Sequence, residues 1–457
     1  MTPDVHATAS APGALQYWLA CSIFLASFIV IASEKIQKTK VALLGASLVL
    51  GLGIVSQEEA FHSLRLGIDH SVIFLLIGMM VIINILGQSG IFEWTAVKLA
   101  KVADGRPFPI MVIFLLFTAI FSAFLDNVTT VLLFAPVTLL IADELEVDPV
   151  PFLIVEALAS NIGGTATLIG DPPNLIIASR SKLSFTDFLV NLAPAVLIML
   201  IALIAVTWVL FRKRLEVDDE RRQHILAMNE SRLIKDRSLV KKSLTVLSLV
   251  VLGFVTHSLT HIEPATIALL GASVLLLVSR QDPHKILAEV EWPTIFFFMG
   301  LFILVGSVVK VGLISDLSRL VINLTGPTED SMFATSMVIL WFSGVVSAFL
   351  DNIPYVATMA PLVTEMAGTV FHGDPSTIYS AAHHHDVLMP VWWALALGSC
   401  LGGNGTAIGA SANVVVLGIA ERSGRKISFL RFMAYGMPVM LLTLAISMVY
   451  LYLRYYW

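Results

Sequence analysis

The sequence predicts an all-α polytopic membrane protein: an inverted repeat of about ten transmembrane helices, with two re-entrant hairpins and two broken helices. Three observations predict it. The 457-residue chain is 57% hydrophobic and 13% charged, with a mean hydropathy of +0.86, too apolar for a soluble domain of this length. The run Ser122-Ala-Phe-Leu-Asp-Asn-Val-Thr-Thr130 recurs as Ser347-Ala-Phe-Leu-Asp-Asn-Ile-Pro-Tyr355, and an Ala-Pro pair follows each copy at the same distance (Ala135-Pro136, Ala360-Pro361). Further on, Ser160-Asn-Ile-Gly-Gly-Thr-Ala-Thr-Leu-Ile-Gly-Asp-Pro-Pro-Asn174 matches Ser399-Cys-Leu-Gly-Gly-Asn-Gly-Thr-Ala-Ile-Gly-Ala-Ser-Ala-Asn413 at seven of fifteen positions.

Apolar runs cover 14–33, 41–55, 71–87, 108–125, 129–143, 150–178 and 187–211. The N-terminus lacks the basic segment of a cleavable signal, so the first run is expected to be retained as a span. A stretch of ten Lys/Arg and six Asp/Glu, 212–242, comes next. The positive-inside rule places it in the cytoplasm, and it reads as a solvated linker between two halves, with partner docking as the alternative. More apolar runs follow at 243–259, 264–279, 294–310, 332–349, 353–369, 387–420 and 428–453.

The same rule tests the topology. Lys35, Lys38 and Lys40 place the first short loop inside, and Lys98, Lys101 and Arg106 mark a second inside segment. If 108–125 and 129–143 made a full crossing, the basic stretch at 212–242 would end outside. A re-entrant hairpin with Asp126-Asn127 at its tip restores it to the inside. Non-helical backbone at membrane depth requires burial in protein or a cavity to line. Five crossings and one hairpin per half then give the second half the opposite orientation. Ala42-Leu-Leu-Gly-Ala-Ser47 recurs as Ala268-Leu-Leu-Gly-Ala-Ser273, and Gly78 and Gly90 correspond to Gly300 and Gly312. Ile91–Val102 and 313–324 space their apolar residues as surface helices along the membrane.

The chemistry concentrates at the repeated motifs. An Asp at a helix centre costs roughly 2.5–3.5 kcal/mol on translocon scales, so two in register imply use. Gly163-Gly164, Gly402-Gly403 and Pro172-Pro173 break their helices. Broken helices expose carbonyls and N–H groups at mid-membrane, the usual place for a secondary transporter's site. Asn127, Thr129, Thr130, Gly164, Thr165, Asn174, Asn352, Gly403, Asn404, Thr406 and Asn413 are the expected substrate-binding residues, since hydroxyls and carboxamides both donate and accept. Close packing of small residues is the plainer alternative. Asp126 and Asp351 have three readings: N-caps of the helices that follow, proton or cation sites, or direct substrate ligands. Asp171, whose repeat counterpart is Ala410, is a third acid beside the break and joins them as a coupling candidate.

Glu156, with Leu395 as counterpart, is either a relay or a packed acid. Cys400 reads as a small packing residue or as a contact for a thiophilic ligand such as As(III). Cys21 lies in a separate apolar run, so neither a disulfide framework nor a thiolate cluster is expected. His383-His-His385 falls in an outward insertion where a solvated run is expected rather than a metal site. No cofactor and no nucleic acid partner are expected. No nucleophile is paired with a base, and the glycine motifs lack the strand–turn–helix setting of a nucleotide site, so the chain does not read as an enzyme.

The two SAFLDN tips and GGTATLIGDPPN resemble the ion transporter superfamily that includes dicarboxylate and citrate carriers. The tip aspartates and the GIFEW…GRPFPIM run are similar to its ArsB / P-protein permease branch, whereas carboxylate carriers typically have Ser-Asn-Thr tips. The resemblance implies an elevator-type carrier: 1–106 scaffold part of repeat 1, 107–211 transport part of repeat 1, 212–242 cytoplasmic linker, 243–330 scaffold part of repeat 2 and 331–457 transport part of repeat 2. It also implies a multi-pass protein of the cell inner membrane, with arsenite or antimonite and protons or Na+ as solutes. Some members of the branch work with an ATPase subunit at the cytoplasmic face. Neither motif contains a basic residue. Neutral As(OH)3 therefore suits them better than an anion, and proton-coupled arsenite/antimonite efflux is the expected function. A Na+/H+ antiporter and a sodium-coupled carboxylate transporter of the same fold are the alternatives.

Overall fold

The computed structural model describes residues 13–33, 35–63, 65–212, 215, 217–328, 331–372 and 382–457, with the backbone alone for 382–385. The His383–His385 run therefore lies outside the described side chains. The described residues form helices and no strand. Seven of these helices are long and apolar enough to cross a membrane, and five shorter apolar ones accompany them: 107–122, 150–164, 264–279, 333–347 and 386–402. By compactness the chain groups into residues 1–69 with 293–320, and 70–292 with 321–457.

The smaller unit holds Ala14–Ala32, Lys38–Gly51, Gln57–His62 and all but the first residue of Trp292–Lys310. Its close approaches need glycine. A Cβ on Gly300 would sit 2.7 Å from the Ala42 carbonyl carbon, and one on Gly45 would sit 2.7 Å from Ser27 Oγ. Ser56 and Glu59 form a capping box at the start of Gln57–His62, which satisfies two helix-end donors. Burial pushes the Glu59 carboxyl up, but bonds from Lys310 Nζ, at 2.7 Å, and from the backbone and hydroxyl of Ser56 outweigh it and leave the group below the usual carboxylate range. Trp18, Ile29 and Leu44 stay more than 60% exposed, as side chains facing lipid would.

The larger unit is built on two broken helices. The first runs Val150–Gly164, breaks over 165–171 and resumes as Pro172–Ser181. The second runs Ala382–Gly402, breaks over 403–410 and resumes as Ser411–Arg422. Hairpin 1 has arms Pro107–Ser122 and Asn127–Glu144, and hairpin 2 has arms Phe333–Ser347 and Asn352–Val370. Each hairpin's first arm packs on the leading half of its own repeat's broken helix, and its second arm packs on the trailing half of the other repeat's. The repeat is thus reproduced in packing. Gly78 meets Ala268 in this unit, with a Cβ 2.8 Å from the Ala268 carbonyl carbon, as Gly300 meets Ala42 in the other. Gly90 and Gly312, with φ of 79° and 94°, open the two expected surface helices, Ile91–Val102 and Leu313–Thr325.

Ion pairs and one hydroxyl bond show which way each hairpin enters. Arg222 Nη2 reaches Asp104, just before hairpin 1, at 2.5 Å, and its neighbour Arg221 reaches Glu146, just after it, at 2.6 Å. Both ends of hairpin 1 therefore lie on the side of the 212–242 linker, and the pair of arms is re-entrant. Arg431, at the start of Phe429–Tyr455, meets Asp148 at 3.0 Å on that same side. This last helix, about 40 Å long at 1.5 Å per residue, is followed by Tyr456, whose hydroxyl bonds Ser336 at the start of hairpin 2 at 2.8 Å. Hairpin 2 therefore enters from the far side, which is the inverted repeat in physical form.

The linker is anchored rather than merely solvated. Besides the two arginine pairs, Lys101 bonds Glu230 at 2.5 Å and the Met228 carbonyl, and Lys235 N donates to Ser89 O at 2.9 Å. The Lys101 ammonium holds the Glu230 carboxyl below the usual carboxylate range. That contact is therefore present at neutral pH and is lost only as the pH falls through this lowered value. Pairs of this kind contribute little individually and are weakened by salt. Limited proteolysis should show faster cleavage within 212–242 for wild type in high salt than in low salt. The Arg221→Ala/Arg222→Ala variant should be cleaved quickly in both.

Candidate substrate and coupling site at the broken helices

The two tips and two breaks are held by matching bonds. Ser122 Oγ donates to Ser160 O at 2.7 Å, as Ser347 Oγ does to Ser399 O at 2.6 Å. Thr167 bonds the Ala123 carbonyl and Thr406 the Ala348 carbonyl. Asn174 Nδ2 spans Thr165 O and Thr167 O, as Asn413 Nδ2 spans Gly403 O and Thr406 O. Carboxamides therefore gather up the carbonyls that each break frees from helical bonding. The loops close tightly: a Cβ on Gly164 would fall 2.6 Å from Gly170 O, and one on Gly403 would fall 3.0 Å from Ala410 Cβ.

Both tip aspartates are N-caps. Asp126 accepts from Thr129 N at 2.9 Å and from the Thr129 hydroxyl. Asp351 accepts from Ile353 N at 3.0 Å and from Ser411 Oγ at 2.9 Å. Thr130 bonds back to Asp126 O at 2.9 Å and Thr165 to Asn161 O at 2.8 Å, so these two hydroxyls are engaged with backbone.

The acid that both tips touch is Asp171, fully buried at the first break. Asn127 of hairpin 1 donates to its Oδ1 at 3.2 Å, and Asn352 of hairpin 2 donates to its Oδ2 at 3.1 Å. Asn161 completes the cluster. Its Oδ1 accepts from Asn127 at 3.2 Å, while its Nδ2 donates to Asn404 Oδ1 at 2.9 Å and Asn413 Oδ1 at 3.0 Å. Cys400 Sγ lies 3.5 Å from Asn174 Oδ1. Asn404 Nδ2 is buried and has no hydrogen-bond partner among the described residues.

Asn127, Asp171, Asn174, Asn352, Asn404 and Asn413 thus converge in one buried network, while Thr130, Thr165 and Thr406 hold backbone. Asn161 is the member that sequence reasoning missed. It sits in regular helix, and its repeat counterpart is Cys400, so repeat identity does not mark it. The signal was the mismatch: Asn161/Cys400 and Asp171/Ala410 are among the places where the two halves differ in chemistry. The four site segments, 122–130, 160–174, 347–355 and 399–413, contain no Lys, Arg or His. A site with one central carboxylate, two capping aspartates at its tips, several carboxamides and a thiol can bind a cation or a neutral hydroxylated solute. Those segments hold no basic side chain to neutralise an anion.

Comparison with known proteins agrees with this architecture. The pattern of the CitMHS family, described as citrate transporters, matches residues 28–398. An uncharacterized transporter of Mycobacterium tuberculosis (strain ATCC 25618 / H37Rv) is 49% identical over 438 residues, covering 96% of this chain and 98% of its own. The P protein of Homo sapiens is 32% identical over 512 residues, across 95% of this chain and 60% of the P protein. The crystal structure of the Alcanivorax borkumensis YdaH transporter has a TM-score of 0.56 at 15% identity, covering 98% of this chain and 99% of that one. This last likeness is one of fold. The superfamily expected from the tip motifs is the one found, with the P proteins among the relatives. The chain belongs to the CitMHS citrate transporter family and is a polytopic membrane transporter.

Proposed function

We propose that the protein is a proton-coupled exporter of a small neutral hydroxylated solute, with arsenite and antimonite as the substrate class. The observation that carries this reading is the buried cluster around Asp171: one carboxylate, a ring of carboxamides and the Cys400 thiol, with no basic residue in its segments. As(OH)3 is uncharged near neutral pH and can accept from a carboxamide N–H such as the unpartnered Asn404 Nδ2 while its hydroxyls donate to carboxamide oxygens. Trivalent arsenic is thiophilic, which suits Cys400. A polyanion such as citrate would meet a like charge at low dielectric.

Of the three acids expected to couple transport, Asp171 is the one in contact with both tips, and we assign it the exchanged proton. Asp126 and Asp351 then serve by holding tip geometry. The remaining features of the reading are a cytoplasmic 212–242 linker, residence in the cell inner membrane, and movement of the transport parts (107–211, 331–457) against the scaffold parts (1–106, 243–330). The subunit that some relatives of the branch use for ATP hydrolysis is not required. A Na+/H+ antiporter is the second reading, favoured by the same oxygen-rich cluster around one acid.

Everted membrane vesicles separate these. Arsenite accumulation that depends on an imposed proton gradient supports the first reading. A sodium-induced pH change without arsenite movement replaces it with the antiporter. Citrate uptake in place of both overturns the neutral-solute argument.

A further inference from the structure

We propose that Glu156 relays the coupling proton between Asp171 and the solvent on the linker side. The inference rests on the proton-coupled reading above. Glu156 lies midway along Val150–Gly164, a helix whose residues are buried at almost every position, and is itself 1% exposed. Thr138, from the second arm of hairpin 1, donates to its Oε1. Its Oε2 has no partner among the described residues. Ionised, the group is a buried charge with one neutral hydroxyl for support, which is costly. Protonated on Oε1, it can donate to the Thr138 hydroxyl, but Oε2 is still left without a partner. Neither state is fully satisfied, unlike Asp171 with its carboxamide donors. A group in that position suits passing a proton on rather than fixing a charge.

Among the described residues, the elements packed around this helix bring no cationic side chain into an ion pair with Glu156. Pro107–Ser122 has no titratable residue. Asn127–Glu144 carries only Asp143 and Glu144 in its last turn, and Phe185–Phe211 only Asp187, bound to Ser184 in its first. Ser411–Arg422 carries Glu421 and Arg422 at its end. In Phe429–Tyr455, Arg431 pairs with Asp148, Arg454 lies with Asn191, Tyr450 and Tyr455 at the far end, and Tyr435 stacks on Phe211. In 386–402 the charged residue is Asp386, with the Cys400 thiol in the site itself.

A polar trail leads from Glu156 to the site. Ser160 is one helical turn on, on the same face. Its hydroxyl lies 3.1 Å from Asn127 O and 3.1 Å from Ser122 Oγ, and Asn127 Nδ2 bonds Asp171. Along the helix Glu156 is about 9 Å from the linker-side end at Val150 and about 12 Å from Gly164 at 1.5 Å per residue. The repeat counterparts of Glu156 and Asp171 are Leu395 and Ala410. Both unmatched acids therefore belong to one broken helix, which confines the route to one half of the molecule. The step is a transfer of H+ alone: the O–H on Asp171 breaks, one forms on Glu156, and Glu156 then releases its proton to linker-side water.

The test uses the full chain in everted vesicles, with arsenite as the probe. Two assays are compared for wild type, Glu156→Gln, Glu156→Asp and Thr138→Val: accumulation driven by a proton gradient, and exchange of arsenite for arsenite without a gradient. We expect Glu156→Gln to lose gradient-driven accumulation while still exchanging. Glu156→Asp should retain accumulation, and Thr138→Val should shift its pH profile. Glu156→Gln with wild-type accumulation and pH profile overturns the relay. Loss of exchange as well, in both Glu156→Gln and Thr138→Val, assigns Glu156 to packing and also overturns it. Wild-type vesicles indifferent to the gradient overturn the coupling reading itself, and the relay with it.

Discussion

Asp171→Asn should abolish transport and leave the protein inserted and folded, whereas Asp126→Asn and Asp351→Asn should retain most of the activity. The difference follows from what each acid bonds. The Asp171 carboxylate is acceptor-only and receives carboxamide N–H groups from both tips, at 3.2 Å from Asn127 and 3.1 Å from Asn352. An asparagine there presents one acceptor and one NH2. Whichever way it turns, an amide faces an amide at one tip, and one buried donor loses its partner. Hydrogen bonds to charged groups contribute about 1.5–3 kcal/mol each. That is enough to let one tip move without unfolding a chain whose broken helices are held by many other bonds. The substitution also removes the titratable group we assign to coupling. The tip acids differ because they cap helices, at 2.9 Å from Thr129 N and 3.0 Å from Ile353 N, and asparagine caps about as well as aspartate. Transport by the three variants in everted vesicles, with membrane content measured by immunoblot, checks this. Loss of activity in Asp126→Asn or Asp351→Asn at normal membrane content would move coupling to the tips and overturn the assignment.

The hairpins, the broken helices and their inverted relation were legible because the chain states them twice: a polar tip bounded by apolar arms is weak evidence once and strong evidence in register. Gly90 and Gly312 were legible for the same reason, and their shared left-handed backbone shows why the position resists other residues. What the repeat leaves unmarked is which acid lies at the centre. Asp126 and Asp351 drew notice by recurring, yet a recurring Asp before a helix is also what a cap requires. Asp171 and Asn161 do not recur, and only the fold shows that both tips reach them. The pairing of Thr138 with Glu156 joins residues eighteen apart on two different helices, which no local spacing reveals. The basic stretch at 212–242 reads as solvated because its composition is polar. Its anchoring depends on Asp104 and Glu146, distant in sequence and visible only in three dimensions.

Gly163→Ala should be among the most destabilising single methyl additions in the chain. A Cβ there would fall 2.1 Å from Ala119 O and 2.5 Å from Ala119 Cα. The obstacle is backbone, so no side-chain rotation relieves it, and the first arm of hairpin 1 must separate from the broken helix. Small residues at a crossing are what let membrane helices approach closely enough for dispersion and interhelical bonds to hold them. Here the same crossing carries the 2.7 Å bond from Ser122 to Ser160 O. Overpacking typically costs about 1–3 kcal/mol and occasionally more, and it exceeds the roughly 1 kcal/mol that alanine gains over glycine in helix propensity. Gly402→Ala, with a Cβ 2.5 Å from Gly344 O, should behave alike in the second half. Gly418 is the control: it is helical, and a Cβ there meets nothing within 4 Å, so Gly418→Ala should be neutral or stabilising. Thermal unfolding of the purified variants in detergent distinguishes the cases. If Gly163→Ala and Gly418→Ala shift the transition alike, helix propensity rather than the crossing sets stability, and the close contact between the hairpin arm and the broken helix does not constrain the fold.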